Sequence, residues 1–257
     1  MKSLFKRQKI TVPPYTALSE IYDTVMSHVN YREWAYYVNE LIDHIGLEIR
    51  TIIDISCGTG SFAFELERLH YDVLGCDYSS KMVSKAILKA QQRKSNIRFW
   101  NADMCYTSWC RPVQAVVSLY DSMNYLLQEH LWHKCLSQIY SSLPHNGLFI
   151  FDVSTVSNSQ FYFNDYVQRE RTDKMSYVRQ SIFHRKNKIQ ENNFEIQLVS
   201  RPGIIYHEQH RQQIHDLQTL QRWIEETSFK VIGLYEGFTL SPGTEKSERV
   251  HFVLLKE

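Results

Sequence analysis

The apolar positions change their period three times along the chain. From Ala17 to about Ile45, Ile21, Val25, Val29, Trp34, Val38, Leu41 and Ile45 recur at helical spacing, which predicts one or two amphipathic helices. From Arg50 short apolar runs alternate with helical ones: TIIDIS, SFAFELERL, DVLGCD, KMVSKAILKAQQR, NIRFW, AVVSLYDS, a helix from about Glu129 to Leu143, and GLFIFDV. Strand then helix, repeated at this spacing, predicts an α/β fold with a parallel sheet and helices on both faces. Pro144, His145, Asn146 and Gly147 close the last of these helices. Between Gln160 and His215 the pattern loosens into SYVRQSIFHRK, QENNFEIQLVS and GIIYHEQHRQQIH. With no helix between them, these are expected to form a small antiparallel sheet over one edge of the main domain. Leu217 to Thr227 then reads as a helix, and FKVIGLYEGF and ERVHFVLLK as two strands. The expected organisation is a helical cap over 1–48, an α/β core over 49–155 and 216–257, and an antiparallel β insert over 156–215.

Composition narrows the function classes. The chain has 257 residues, 43% hydrophobic, with 9 glycines and 6 prolines, so it is expected to bury a large core. Its 29 basic and 28 acidic side chains leave a formal charge of +1, which gives no case for a polyanionic partner on charge alone. The five cysteines, Cys57, Cys76, Cys105, Cys110 and Cys135, make no CxxC pair, which fits reduced thiols better than disulfides and argues against structural zinc. No metal site is expected. The start MKSLFKRQKITVPP lacks the apolar run of a signal peptide, and no stretch approaches the length needed to cross a bilayer. A cytoplasmic protein with no membrane partner is the expectation.

The chemistry begins at the first parallel strand. Asp54, Ile55, Ser56, Cys57, Gly58, Thr59 and Gly60 place an acid at the carboxyl end of a buried strand and then a glycine turn into a helix, where ligands of open sheets bind. Asp77 ends the next strand, at the distance where a carboxylate would take ribose hydroxyls. Gly58, Gly60 and Ala63 also satisfy the GxGxxA form of a dinucleotide fingerprint, so an NAD-dependent oxidoreductase stands as an alternative. Asp54 speaks against it, since an acid beside the glycine turn disfavours a pyrophosphate and suits an ammonium. Asp103, in NADM, is placed to read an adenine amino group, with Ala102 and Met104 along the ring face. This set suits a cofactor with adenosine at one end and a cationic amino acid at the other.

In order, DISCGTG, GCDYSSKM, NADM, SLYDSMNYL and GLFIFDV closely resemble the class I methyltransferases that use S-adenosylmethionine. YDSMNYL, with the opening EIYDTVM and NYREW, resembles a branch of small bacterial enzymes with a late antiparallel insert. The resemblance spans residues 15 to 255 and is specific for the cofactor, weakly so for the substrate. It implies a seven-stranded, mostly parallel sheet, Rossmann-like, whose last strand is antiparallel. Where many members carry Gly-Cys or Gly-Ser, this chain has Ser56 and Cys57. Carried over by position, Gly58 and Gly60 would approach the methionine part, and Asp54 would order the loop around its amine. Asp77 would bind the ribose, Tyr78 and Met82 would pack near the adenine, and Asp103 and Met104 would read its edge. Leu119, Tyr120 and Asp121 would form the floor beside the sulfonium.

Methyl transfer needs alignment and exclusion of water, and a base only where the nucleophile is protonated at neutral pH. His210 and His207 are the candidate bases, with Tyr120 as a further catalytic candidate, although strand alternation puts the two histidines on opposite faces. Tyr15, Tyr22, Tyr31 and Trp34 are candidate lid residues, with Asn124 and Arg211 as candidate substrate contacts. Nine Lys or Arg against six Asp or Glu between Asp165 and His215 is a mild excess, which favours a small polar acceptor. Transfer RNA stays open as an alternative acceptor, with Arg169, Arg171, Arg179, Arg185 and Arg211 as the arginines concerned. A non-catalytic sensor of the cofactor stays open as well, as does the choice between monomer and homodimer.

Overall fold

The computed structural model describes residues 7–109 and 111–257; residues 1–6 and Cys110, which entered the readings of the chain start and of the cysteines, lie outside the described residues. The strands are β1 (Gln8–Thr11), β2 (Thr51–Asp54), β3 (Asp72–Asp77), β4 (Arg98–Asn101), β5 (Ala115–Ser118), β6 (Gly147–Ser154), β7 (Tyr166–Arg171), β8 (Met175–His184), β9 (Ile189–Leu198), β10 (Ile204–Gln213), β11 (Phe229–Glu236) and β12 (Arg249–Lys256). The helices are α1 (Tyr22–Val25), α2 (Tyr31–Ile45), α3 (Ser61–Arg68), α4 (Ser80–Arg93), α5 (Glu129–Ser142), α6 (Val156–Tyr162) and α7 (Leu217–Glu225). Short 3-10 turns lie at Leu18–Glu20 and Ser122–Tyr125.

Seven strands form the main sheet in the order β11-β12-β6-β5-β2-β3-β4. The pairs from β6 to β4 are parallel, and β12 runs antiparallel to both its neighbours, as expected. Every residue of β5 and β6 is buried, because helices cover both faces and leave no wet side for alternation. One face packs Val38 and Leu41 of α2, Leu66 of α3 and Ala86 of α4. The other packs Trp132 and Leu136 of α5 with Leu220 and Trp223 of α7. The order of connection reverses between β2 and β5, which opens a crevice at their carboxyl ends. Asn30 starts α2 by accepting a hydrogen bond from the Glu33 N–H, and Gly46 ends it at φ +77°. The described cysteines, Cys57, Cys76, Cys105 and Cys135, are buried thiols with no disulfide.

Five strands form a second sheet, β1-β10-β9-β8-β7, antiparallel except for the β1–β10 pair. Three strands were expected there; β7 and β1 are additional, and α6 precedes β7. Both are edge strands with exposed, polar sequences (YVQRER and QKIT), so they carry no apolar alternation to betray them. The stretch before α2 is therefore a strand, one 3-10 turn and the short helix α1. The inner face of the sheet is apolar at one end, where Tyr177, Phe194, Ile196 and Tyr206 bury Leu18, Ile21 and Val25. At the other end it is polar, with Arg179, Ser181, Gln190, Asn192, His210 and Gln212. That end faces the crevice.

Candidate active site

A cavity of about 640 Å³ lies between the carboxyl ends of the main sheet, the polar half of the second sheet and residues 13–34. That is within the roughly 300–1,000 Å³ of small-molecule sites. Asp54 is 3% exposed, and its Oδ1 accepts the Ser56 N–H at 3.1 Å. Burial pushes its carboxyl up to about 7, against the pull of the Ser56 N–H and with a further push from Asp77. Asp77 accepts the Gly58 N–H on one oxygen (2.9 Å) and the Ser79 N–H on the other (2.8 Å). Burial raises it too, and these two hydrogen bonds counteract the rise. Gly58 sits at φ +53°, a conformation that lets its N–H reach Asp77 and that a side chain would strain.

Of the cofactor residues expected from sequence, Asp54, Ser56, Cys57, Gly58, Asp77, Tyr78, Met82, Asp103, Met104, Leu119, Tyr120 and Asp121 line the cavity. Gly60 and Ala102 are not on its wall. A Cβ on Gly60 would come within 2.9 Å of the Phe99 ring, so this glycine serves the contact of α3 with the sheet. Ala102 packs on the core beside α5. Tyr78 stands at the rim, 78% exposed.

The floor beyond β5 is strained. Tyr120 and Asp121 both have positive φ, +61° and +53°. The bend is held by the Asp121 N–H donating to Asp152 Oδ2 (2.9 Å), by Arg249 Nη2 on Asp121 Oδ1 (2.8 Å), and by Gln212 Nε2 on the main-chain and side-chain oxygens of Asp121. Arg249 also pairs with Asp152. Asp121 is thus committed to Arg249 and Gln212 rather than free on the floor.

Across the cavity β10 turns Tyr206, Glu208, His210 and Gln212 inward, and alternation sends His207 and Arg211 to the other face, off the cavity wall. His210 Nε2 lies 3.2 Å from Glu208 Oε2, and His210 Nδ1 lies 3.0 Å from the Tyr125 hydroxyl. The Tyr125 and Tyr15 hydroxyls are 2.7 Å apart. Glu208 is fully buried, and its two oxygens also accept the N–H groups of Tyr15, Ala17 and Leu18. That carboxylate therefore fastens residues 15–18 to the sheet. Lys85 with Glu20, and Lys89 with Asp23, fasten the same strap to α4. Tyr15, Tyr22, Tyr31 and Trp34 line the cavity beneath it. Asn124 does not: its Nδ2 donates to Gln213 O and its Oδ1 accepts the Ser154 N–H, tying the floor loop to β10 and β6. His215 lies outside the wall against Trp223, where burial lowers its pKa to about 4.

Tyr125, Gln212, Arg249 and Asp152 were not singled out in the sequence. Two signals were present: the i, i+2, i+4 set Glu208, His210, Gln212, and the lone acid inside GLFIFDV. Among the described residues no group of His, Cys, Asp or Glu could hold a metal, and no helix is long and apolar enough to cross a membrane.

A glycine turn with two buried carboxylates at the strand ends is the arrangement in which open α/β sheets take a nucleoside cofactor. Its chemistry fits S-adenosylmethionine. Asp77 keeps a lone pair on each oxygen after its two backbone bonds, enough for two hydroxyls. Among the described residues no lysine lines the cavity, and its arginines are Arg179 of β8 and Arg249 of β12, the latter paired with Asp121 and Asp152, so a pyrophosphate at Gly58 would face two acids and no free cation beside them. A family described as "Methyltransferase domain" matches residues 52–147. A protein of Geobacillus sp. (strain WCH70) bearing a provisional methyltransferase name is 28% identical over 251 residues, 94% of this chain and 99% of that one. An S-adenosylmethionine-dependent methyltransferase from Clostridium acetobutylicum superposes with a TM-score of 0.80 at 17% identity, over 94% of this chain and 98% of that one. The sugar N-methyltransferase KedS8 of Streptoalloteichus superposes at 0.73 and 17% identity, over 92% of each chain. Residues 52–147 thus carry a methyltransferase domain, the chain as a whole has the fold of the S-adenosylmethionine-dependent methyltransferases it superposes on, and it is an enzyme of that class.

Proposed function

We propose that the enzyme methylates a nitrogen or oxygen nucleophile on a small polar acceptor enclosed between the strap of residues 13–34, the second sheet and the floor at Tyr120. One observation carries this reading: the chain Glu208, His210, Tyr125, Tyr15 ends on the wall of the same cavity as Asp54, Gly58 and Asp77. KedS8, a sugar N-methyltransferase by name, supports it by sharing the architecture.

When bound, S-adenosylmethionine supplies a methyl carbon already activated by its sulfonium. In this reading Asp77 takes the ribose hydroxyls, Asp54 the amine, and Asp103, Met104 and Met82 the adenine. Leu119 and Tyr120 form the floor. The rings of Tyr22, Tyr31, Tyr120 and Trp34 exclude water and favour a cation near their faces.

The base is His210. Glu208, as a carboxylate, only accepts, so His210 carries its proton on Nε2 and keeps a lone pair on Nδ1. Tyr125 donates to that lone pair and in turn accepts from Tyr15. Burial holds the Tyr15 and Tyr125 hydroxyls well above their ordinary pKa, so they relay a proton without resting as phenolates. A proton lost by the acceptor passes along the hydroxyls to Nδ1, and Glu208 stabilises the imidazolium. His207 and Arg211, on the other face of β10, take no part.

The test is calorimetric titration with S-adenosylmethionine and S-adenosylhomocysteine, then a labelled-methyl screen of small metabolites against unmodified transfer RNA. The expected result is micromolar binding of both, with label entering a small-molecule fraction. Label in transfer RNA would overturn the acceptor class, and binding without any transfer would favour a sensor. Absence of binding, with binding of NAD, would overturn the cofactor assignment.

A further inference from the structure

The inward positions of β8 are Met175, Tyr177, Arg179, Ser181 and Phe183, and Arg179 is the one charge among them. It lies on the cavity wall. Its guanidinium donates from Nε (3.2 Å) and Nη2 (2.9 Å) to Asn192 Oδ1, and its carbon lies 5.1 Å from the Phe163 ring centre. Among the described residues it has no carboxylate partner. The other arginine on the wall, Arg249, has two, Asp121 and Asp152. The other acids of the wall, Asp54, Asp77 and Asp103, make no ion pair with Arg179 among the described residues, and Asp121 is taken by Arg249. Asp152 and Glu208 are fully buried behind the wall, and Glu208 is saturated by three N–H groups and His210. A guanidinium has five N–H donors, and two of these go to Asn192.

We propose that Arg179 anchors a carboxylate of the acceptor, so that the substrate is a small amino or hydroxy acid. The inference rests on the methyl-transfer reading of this cavity. A half-buried guanidinium on an aromatic ledge gains most from a planar partner that accepts two parallel hydrogen bonds and neutralises one unit of charge. A phosphate, with about −1.5 to −2 charges, would call for a second uncompensated cation, which the wall does not offer. Arg179 also acts on the reacting end: burial raises the Tyr120 and Tyr125 hydroxyls, and the charge of Arg179 pulls both back. The anchored acid would thus sit beside the floor and the proton relay.

The decisive experiment titrates the S-adenosylhomocysteine-loaded protein with acetate at constant ionic strength, following arginine Nε–Hε signals by NMR. A saturable shift of the Arg179 signal, identified by its absence in Arg179→Gln, is expected; no such shift overturns the proposal. Loading is measured first by calorimetry, so failure to bind S-adenosylhomocysteine marks failure of the methyl-transfer reading instead. Labelled product made from a metabolite extract should lose its retention on anion exchange after carbodiimide coupling to a neutral amine. Loss after phosphatase instead would overturn the carboxylate. Arg179→Gln should shift the half-saturating extract concentration upward by roughly tenfold or more, with S-adenosylhomocysteine affinity near the parent's. An unchanged half-saturation point would overturn the assignment.

Discussion

At the cofactor end of the cavity Asp54 and Asp77 are fixed by main-chain N–H groups of the loops that follow β2 and β3, whereas at the acceptor end Arg179, His210 and Gln212 are fixed by other side chains. A backbone-held carboxylate keeps its place when neighbouring side chains change. A side-chain network does not, because each member positions the next and single changes are felt by all. One end is suited to holding a constant ligand, the other to being retuned for different acceptors.

The largest expected effect falls on the network end. His210→Gln should lower kcat by about 10²- to 10⁴-fold, the usual range for loss of a general base. S-adenosylhomocysteine affinity should stay within about twofold, if the two ends are as separate as their bonding implies. A parallel loss of cofactor affinity in calorimetry would break the comparison, since the network would then reach across the cavity. Asp77→Ala tests the other end. It should weaken cofactor binding by roughly 1.5 to 3 kcal/mol, the range for hydrogen bonds to a charged group. Equal affinities of mutant and parent would reject the ribose assignment.

The third effect is one of pH. Burial pushes the Asp54 carboxyl up to about 7, so it takes a proton far more readily than an ordinary carboxylate. The cofactor's ammonium favours the carboxylate, so binding must release a proton below that point. Affinity should therefore fall as pH drops below 7, approaching tenfold per unit, and level off above 7. Calorimetry in buffers of different ionisation enthalpy would count the proton. An affinity flat between pH 6 and 8, or one matched by Asp54→Asn, would remove Asp54 from the amine's neighbourhood.

The two ends differ in how far they could be read from the chain. Asp54 and Asp77 end their strands and Gly58 and Asp103 follow theirs by a few residues, so the local order of strand, acid and turn is enough to find them. The acceptor end comes from alternate positions of three strands and one strap. Glu208 and His210 look like part of a solvated strand until the register sets His210 against Asn192, and Glu208 against Phe194. His207 and His210 are close in sequence and divided by the pleat. Arg249 and Asp121 meet across 128 residues, a pairing that periodicity along the chain does not encode.

Tyr15 gives the smallest effect and the sharpest division between relay and packing. Its N–H is held by Glu208, its ring lies edge-on to His210 at 4.6 Å, and only its hydroxyl reaches Tyr125. Tyr15→Phe leaves the first two contacts in place and cuts the third, so the strap should stay closed. A neutral hydrogen bond contributes about 0.5 to 1.5 kcal/mol, which sets the expected fall in kcat at roughly two- to tenfold, with cofactor affinity unchanged. If Tyr15 passes the proton, the fall should shrink as pH rises and the acceptor loses its own proton to solvent. A fall independent of pH would make Tyr15 a packing residue and end the relay at Tyr125. A weaker cofactor affinity would show instead that the strap's closure depends on this hydroxyl, joining the two ends that the rest of the bonding keeps apart.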